Sequence, residues 1–301
     1  MFKNVLVGVD GRQGGRDAIA LAARLTDPDV TLTLAHVHVD VLSPSHAITP
    51  GLLVEERKRS HKLLEDERAA TGIKAELLSI VSTSPGRGLH EQAEEQNVEL
   101  IVVGSCARGA LGRAMLGDDT RDALNGAPCA VAVASHGYAE HPSAISKVGV
   151  GYNGSPESEA ALAVARKLAK ETGASVHALQ VVSIPTVAYS GIMPPVVGES
   201  VDLLLRDAND RMKALPDVEG HAVYGLTGEE LAGFGEDVDV LIVASRGYGP
   251  VRRLVLGSTS VFLARHGRCS LLVLPHTLTG AGESSMSSSE LHTEIPAGAA
   301  V

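Results

Sequence analysis

Ile101-Val-Val-Gly-Ser-Cys-Ala-Arg-Gly-Ala-Leu-Gly-Arg-Ala-Met-Leu-Gly-Asp-Asp-Thr120 and Leu241-Ile-Val-Ala-Ser-Arg-Gly-Tyr-Gly-Pro-Val-Arg-Arg-Leu-Val-Leu-Gly-Ser-Thr-Ser260 are two versions of one pattern, 140 residues apart. Each is an apolar run, a small-residue loop with basic side chains, a short apolar stretch, and Leu-Gly followed by an acid or a hydroxyl. That order reads as a buried strand, a loop of the size that cradles a phosphate, and a helix N-terminus. A chain that carries it twice is a tandem repeat, and the positions where the copies differ bear on which half has kept its chemistry.

The repeat divides the 301 residues into two units of ordinary domain size, expected at residues 1–140 and 146–276. Between them, Ser135 to Ser146 is a polar linker with Gly137 and Pro142, and residues 277–301 read as a disordered tail too poor in apolar residues to pack. Net charge is -10, so no basic field is available to hold a nucleic-acid backbone, and the few arginines must act locally in clefts. The amino terminus meets Asp10 before a signal-peptide core is complete, and no apolar run approaches the about 18 residues of a membrane span, so a soluble, cytoplasmic protein is expected. Cys106, Cys129 and Cys269 are odd in number and lack CxxC spacing, which fits a reducing compartment. Cys129 and Cys269 take equivalent places at the start of the last strand of each half and read as buried structural thiols. His36 and His38 alternate along one strand without a third ligand in sight, so ordinary packing is favoured over a metal site and no metal ligand is assigned.

In the first half, strands are expected at Val5 to Val9, Thr31 to Val39, Ala75 to Val81, Leu100 to Gly104 and Ala130 to Ala134. Helical spacing falls at Ala18 to Leu25, Leu52 to Ala70, Leu89 to Gln96, which Pro85 and two glycines open, and Asp118 to Asn125. The second half repeats the order: strands at Val148 to Tyr152, Val176 to Val182, His221 to Tyr224, Val240 to Ala244 and Leu271 to Leu274. Its helices are expected at Pro156 to Lys170, Val201 to Leu215 and Ser258 to His266, with Ser155 as a cap and Gly173 as a stop. Thr227-Gly-Glu-Glu230 has the spacing of a capping box, but Gly233 and Gly235 follow, so a short helix is expected there. Strands alternating with helices imply parallel crossovers, with helices on both faces of each sheet.

A strand ending in Val-Asp-Gly, then G-x-x-G-x9-G-[ST] after the fourth strand, then Ala-Pro-Cys-Ala-Val-Ala-Val, together resemble the universal stress protein family in both halves, over residues 3 to 275. The resemblance implies two tandem Rossmann-like α/β domains, each a five-stranded parallel sheet of order 3-2-1-4-5. In the ATP-binding branch the nucleotide lies outside the carboxyl ends of strands 1 and 4, where open α/β sheets bind ligands. Small residues there let backbone N–H groups approach phosphate oxygens, and the following helix directs its positive end at them. Family members also pair through their fifth strands, which implies an intramolecular pseudo-dimer of the two halves here, with a homodimer as a further assembly.

The first copy begins at Gly104, has Ala107 where the second glycine belongs, and reaches Gly117 followed by Asp118 in place of a hydroxyl. A carboxylate about 4 Å from a phosphate charge repels it by roughly 4 kcal/mol at an effective dielectric of about 20, against about 0.3–1 kcal/mol gained as a helix cap. Asp10 is retained, and the resemblance implies that it contacts the nucleoside; as a plain sequence feature it is equally a strand-ending Asp-Gly turn. The second copy has Ala244 for the first glycine but keeps Gly247, Gly257 and Ser258, with Thr259 and Ser260 beyond. Asn153 stands where Asp10 does and can hydrogen-bond a ribose hydroxyl, and Arg246, Arg252 and Arg253 offer cations.

The expected function is a non-enzymatic stress-response protein binding ATP, with Mg, or another adenine nucleotide, more in the second half than in the first. The alternative is a nucleotide-free scaffold assembling through its sheet edges. An enzyme of a related nucleotide-binding fold is disfavoured because the first strand ends in neither a Ser-Gly-Gly nor a His-x-Gly-His type motif. No acid–base pair accompanies the glycine loops, so no catalytic residue is assigned.

Overall fold

The computed structural model describes residues 1–39, 50–107, 114–115, 118–183, 196–245, 254 and 257–276. The first half runs β1 (Val5–Gly8), α1 (Gln13–Leu25), β2 (Leu32–Val39), α2 (Pro50–Thr71), β3 (Ala75–Ser82), α3 (Pro85–Glu95) and β4 (Leu100–Gly104). It continues through β5 (Cys106–Ala107), β6 (Ala114–Met115), α4 (Asp118–Leu124) and β7 (Ala130–Ala134). The second half runs β8 (Lys147–Gly151), α5 (Pro156–Thr172), β9 (Ser175–Val182), α6 (Val196–Lys213) and β10 (Glu219–Tyr224). It ends with α7 (Thr227–Phe234), β11 (Val240–Ala244), α8 (Ser258–His266) and β12 (Ser270–Leu274).

Ten of these strands form one sheet, in the order β10-β9-β8-β11-β12-β7-β4-β1-β2-β3. Each half is thus a parallel sheet of order 3-2-1-4-5, and β12 pairs antiparallel with β7, Leu271 opposite Val133 and Val273 opposite Val131. The inner strands are near-continuous apolar runs because helices cover both faces. Two apolar layers result, one under α1, α2, α5 and α6, the other under α3, α4, α7 and α8, and each draws residues from both halves. The seam between β7 and β12 is therefore core on both faces, and neither fifth strand has a free edge.

Several helix starts show where local sequence decides and where packing does. α3 begins at Pro85, four residues before the periodic stretch, with Ser84 Oγ accepting the Arg87 N–H. Gly86 and Gly88 lie inside it because a Cβ on Gly86 would meet the Asp122 backbone at 2.5 Å and one on Gly88 the Val37 side chain at 3.0 Å. The capping box at Thr227 does not form: Leu226 is the cap residue of α7, no side chain caps it, and Thr227 is already helical. Two other helices open where the sequence places them, α4 at Asp118 and α8 at Ser258, with Gly257 in the cap position of α8. Ser155 does cap α5 through the Ser158 N–H, and Gly173 ends it at φ +76°. The first glycine loop contains a two-residue antiparallel ladder, Cys106–Ala107 with Ala114–Met115.

Of the two thiols expected in the core, Cys129 is buried and Cys269 is half-buried against the same apolar layer. Burial pushes both Cys129 and Cys269 up to about 12 from an ordinary 9.0. Among the described residues no cluster of three metal-ligating side chains occurs, and no helix is long and apolar enough to cross a membrane.

Candidate functional site

At the carboxyl ends of β1 and β4, the topological switch point of the first half, lies a cleft of about 300 Å³, the lower end of the size range of small-molecule sites. Its floor includes Gly8, Ala35 and Val103 from three neighbouring strands. One wall is the start of α1, where Gln13, Gly14 and Gly15 face the cleft and Arg12, the cap residue, makes no side-chain cap. That helix end carries no acidic residue in its first turn, so its unpaired N–H groups and dipole favour an anion. Asp10 closes the strand by accepting the Arg12 N–H at 3.0 Å, and its other oxygen lies 4.0 Å from Arg12 Nε.

Three further groups were not singled out by their motifs. His36 Nδ1 donates to the Val9 carbonyl at 2.7 Å, which fixes the ring and leaves Nε2 as the acceptor of the neutral imidazole. Thr120 Oγ1 donates to the Gly104 carbonyl at 2.9 Å, tying α4 to the end of β4. Ser105 Oγ lines the cleft, is 4% exposed, and makes no hydrogen bond among the described residues. A buried hydroxyl without a partner costs about 1–3 kcal/mol, which a bound ligand would offset.

The small residue at Gly104 has a different cause from the one its motif suggests. A Cβ there would stand 2.0 Å from the Gly14 carbonyl oxygen, and a Cβ on Gly14 would stand 3.2 Å from the Ser105 carbonyl oxygen. The pair lets α1 seat directly on the end of β4, and this contact gives the cleft its wall.

Comparison with known proteins bears on this arrangement. The universal stress protein family model matches residues 1–135 and again 144–275. The chain belongs to the universal stress protein family. A universal stress protein of Mycobacterium tuberculosis is 29% identical over 295 residues, covering 89% of this chain and 96% of that one. Another from the same organism is 26% identical over 280 residues, covering 91% and 96%. The crystal structure of a universal stress protein from Archaeoglobus fulgidus matches with a TM-score of 0.66 at 19% identity, over 91% of this chain and 98% of that one.

Within this tandem universal stress protein the second half presents a different surface at the equivalent place. The registers Gly8–Ala35 and Gly151–Leu179 put Leu179 where the first half has Ala35, and Tyr152 where it has Val9. Tyr152 Oη donates to the Glu159 carboxylate, and burial first, then this bond, pushes its hydroxyl up to about 12. Glu157 stands in the place of Gly14 and Ala244 in that of Gly104, so the glycine pair that seats α1 on β4 is absent from the second half. The Glu157 carboxyl is held below its usual range first by its own backbone N–H, then by the Ser155 hydroxyl, with His276 Nδ1 3.2 Å away. Asn153 repeats the turn of Asp10, its Oδ1 accepting the Ser155 N–H at 3.0 Å.

Of the residues expected to hold a nucleotide, Asp10 and Gly104 line the described cleft. Asn153, Ala244, Gly257, Ser258, Thr259 and Ser260 lie around the corresponding end of the second half, with Ser260 buried like its counterpart Thr120. Arg246, Gly247, Arg252, Arg253 and Gly117 lie outside the described residues.

Proposed function

We propose that the chain is a non-enzymatic stress-response protein that binds an adenine nucleotide, and that the better nucleoside site is the first-half cleft. The observation that carries this is the formed cleft at the switch point, which Ser105 lines; its buried, unpartnered hydroxyl has an equally buried and unpartnered counterpart in Ser245 of the second half, so the hydroxyl supports binding and the cleft supports the choice of half. In this reading Asp10 and the His36 ring offer polar groups to the nucleoside, and Ser105, the start of α1 and the loop after β4 face the phosphates. Any Mg would enter with the nucleotide.

The reading moves the preference from the second half to the first. There Leu179 and Tyr152 replace Ala35 and Val9, which reduces room for a base, and the Glu157 carboxylate stands at the helix end that would meet a phosphate. The second half keeps Gly257 and Ser258, the phosphate marks, while the first carries Asp118. A few phosphate charges are therefore tolerated better than many in the first half.

Thermal shift of the full chain with adenosine, AMP and ATP checks this. Stabilisation is expected with AMP and adenosine and less with ATP, and Asp118→Ser should raise the ATP response towards that of AMP. A chain that none of the three stabilises would instead support a nucleotide-free scaffold.

A further inference from the structure

A second cavity, of about 490 Å³, lies at the seam between the halves, beside the amino end of β7 and the carboxyl end of β12. Phe2, Val164, Leu168 and Leu272 form its apolar walls, and Lys3 and Lys167 also line it. It is remote from the switch-point cleft, at the opposite end of β1.

The antiparallel pairing of β7 with β12 relates the halves by an approximate twofold axis, so this space has a rotated counterpart. The registers Val5–Leu100 and Val148–Val240 make Asp239 the counterpart of Glu99 and Ile145 that of Phe2. The helix starts after Arg12 and Ser155 make Arg24 the counterpart of Lys167.

At the twofold-related place the linker packs against the core. Asp17, fully buried, accepts the Gly137 and Ala139 N–H groups at 2.9 and 2.8 Å, and the turn sends Tyr138 into the core, where it is 9% exposed. Its hydroxyl feels the charges of Arg24 and Asp239, the counterparts of Lys167 and Glu99. A buried aromatic ring thus stands beside the equivalent helix and strand ends in one half, where Ile145 and Ser146 replace Phe2 and Lys3.

The open side differs in its charge. Glu99 Oε2 is committed to the Lys3 N–H at 2.7 Å, and neither Lys3 nor Lys167 forms an ion pair among the described residues. Lys3 and Lys167 are exposed at the rim, so two ammonium groups outweigh the one carboxylate of Glu99 beside the apolar walls and favour an anion on an apolar body.

We propose that the seam cavity binds an aromatic carboxylate, a planar ring of tyrosine size whose carboxylate is met by Lys3 and Lys167. Such a ligand touches Phe2 and Cys129 of the first half and Val164, Leu168 and Leu272 of the second, so it stabilises the docked pair of halves by mass action.

Calorimetric titration of the full chain with 4-hydroxyphenylacetate tests this, with the neutral p-cresol as its comparison. One saturable site is expected, weakened at least about tenfold in the Lys3→Gln/Lys167→Gln double variant and to a similar degree for p-cresol. Saturating ATP should leave the titration unchanged, which separates this site from the nucleotide cleft. The proposal is overturned by an absence of saturable binding, by unchanged affinity in the double variant, or by displacement with ATP. It is equally overturned if a chain ended after His276 binds the probe and the full chain does not, since the chain's own continuation then fills the seam.

Discussion

At Gly104 one methyl group decides whether α1 can sit on β4. Its Cβ would stand 2.0 Å from a backbone oxygen of Gly14, an atom that cannot move without shifting the helix. Gly104→Ala should therefore destabilise the protein by about 1–3 kcal/mol or more, read as a lower urea midpoint. Asp17 acts at the same scale: replacing it by Ala strands two buried N–H donors of the linker, at about 1–3 kcal/mol each, and an equally large loss is expected. The two thiols add a pH dependence. With Cys129 and Cys269 near 12 in the folded state and 9.0 unfolded, the unfolded chain releases their protons first, so their contribution is full below pH 9 and lost as pH rises towards 12. Denaturation midpoints measured between pH 8 and 11 should fall, and less so in Cys129→Ala/Cys269→Ala relative to its own stability at pH 8.

These residues also mark what was legible in the sequence. Gly104 stood out as a glycine, but its reason lies at Gly14, 90 positions away, and no local pattern reveals a backbone contact of that kind. Asp17 carried a readable signal, a lone acid on the apolar face formed by Ala18, Leu21, Ala22 and Leu25. Ser105 carried none, because a serine after a strand reads alike whether its hydroxyl is satisfied or waiting.

At the scale of elements, helix starts separate motif from geometry. Ser155 and Thr227 both look like caps in sequence, yet only Ser155 accepts a backbone N–H. Ser155→Ala should cost about 1 kcal/mol and Thr227→Ala well under that, a difference visible in paired thermal melts. The strands were legible because each is a short, wholly apolar run, and those runs are what a sheet covered on both faces requires. The opening of α3 at Pro85 was legible too, but the reason for its glycines was not, because Gly86 and Gly88 look like loop residues until Asp122 and Val37 are seen against them. A helix can hold two glycines where neighbouring elements leave no room for a Cβ.

For the whole molecule, the repeated glycine pattern foretold two halves, the alternation of strands and helices made their sheets parallel, and the family resemblance implied the order 3-2-1-4-5; the structure joins the two sheets through β7 and β12 into one of ten strands. Because both apolar layers cross that seam, the halves are not independent bodies, and their sites are best compared by variants of the full chain. The proposed choice of half rests on residues that no phosphate motif includes: glycine and serine marks favour the second half, whereas Ala35 of β2 stands opposite Gly8 where Leu179 of β9 stands opposite Gly151. The most direct measurement is calorimetric titration of AMP into the full chain and into two variants, Ala35→Leu, which copies the second half into the first, and Ser258→Asp, which copies the first into the second. One site, lost in Ala35→Leu and retained in Ser258→Asp, is the predicted result; a site that survives Ala35→Leu and disappears in Ser258→Asp would contradict it.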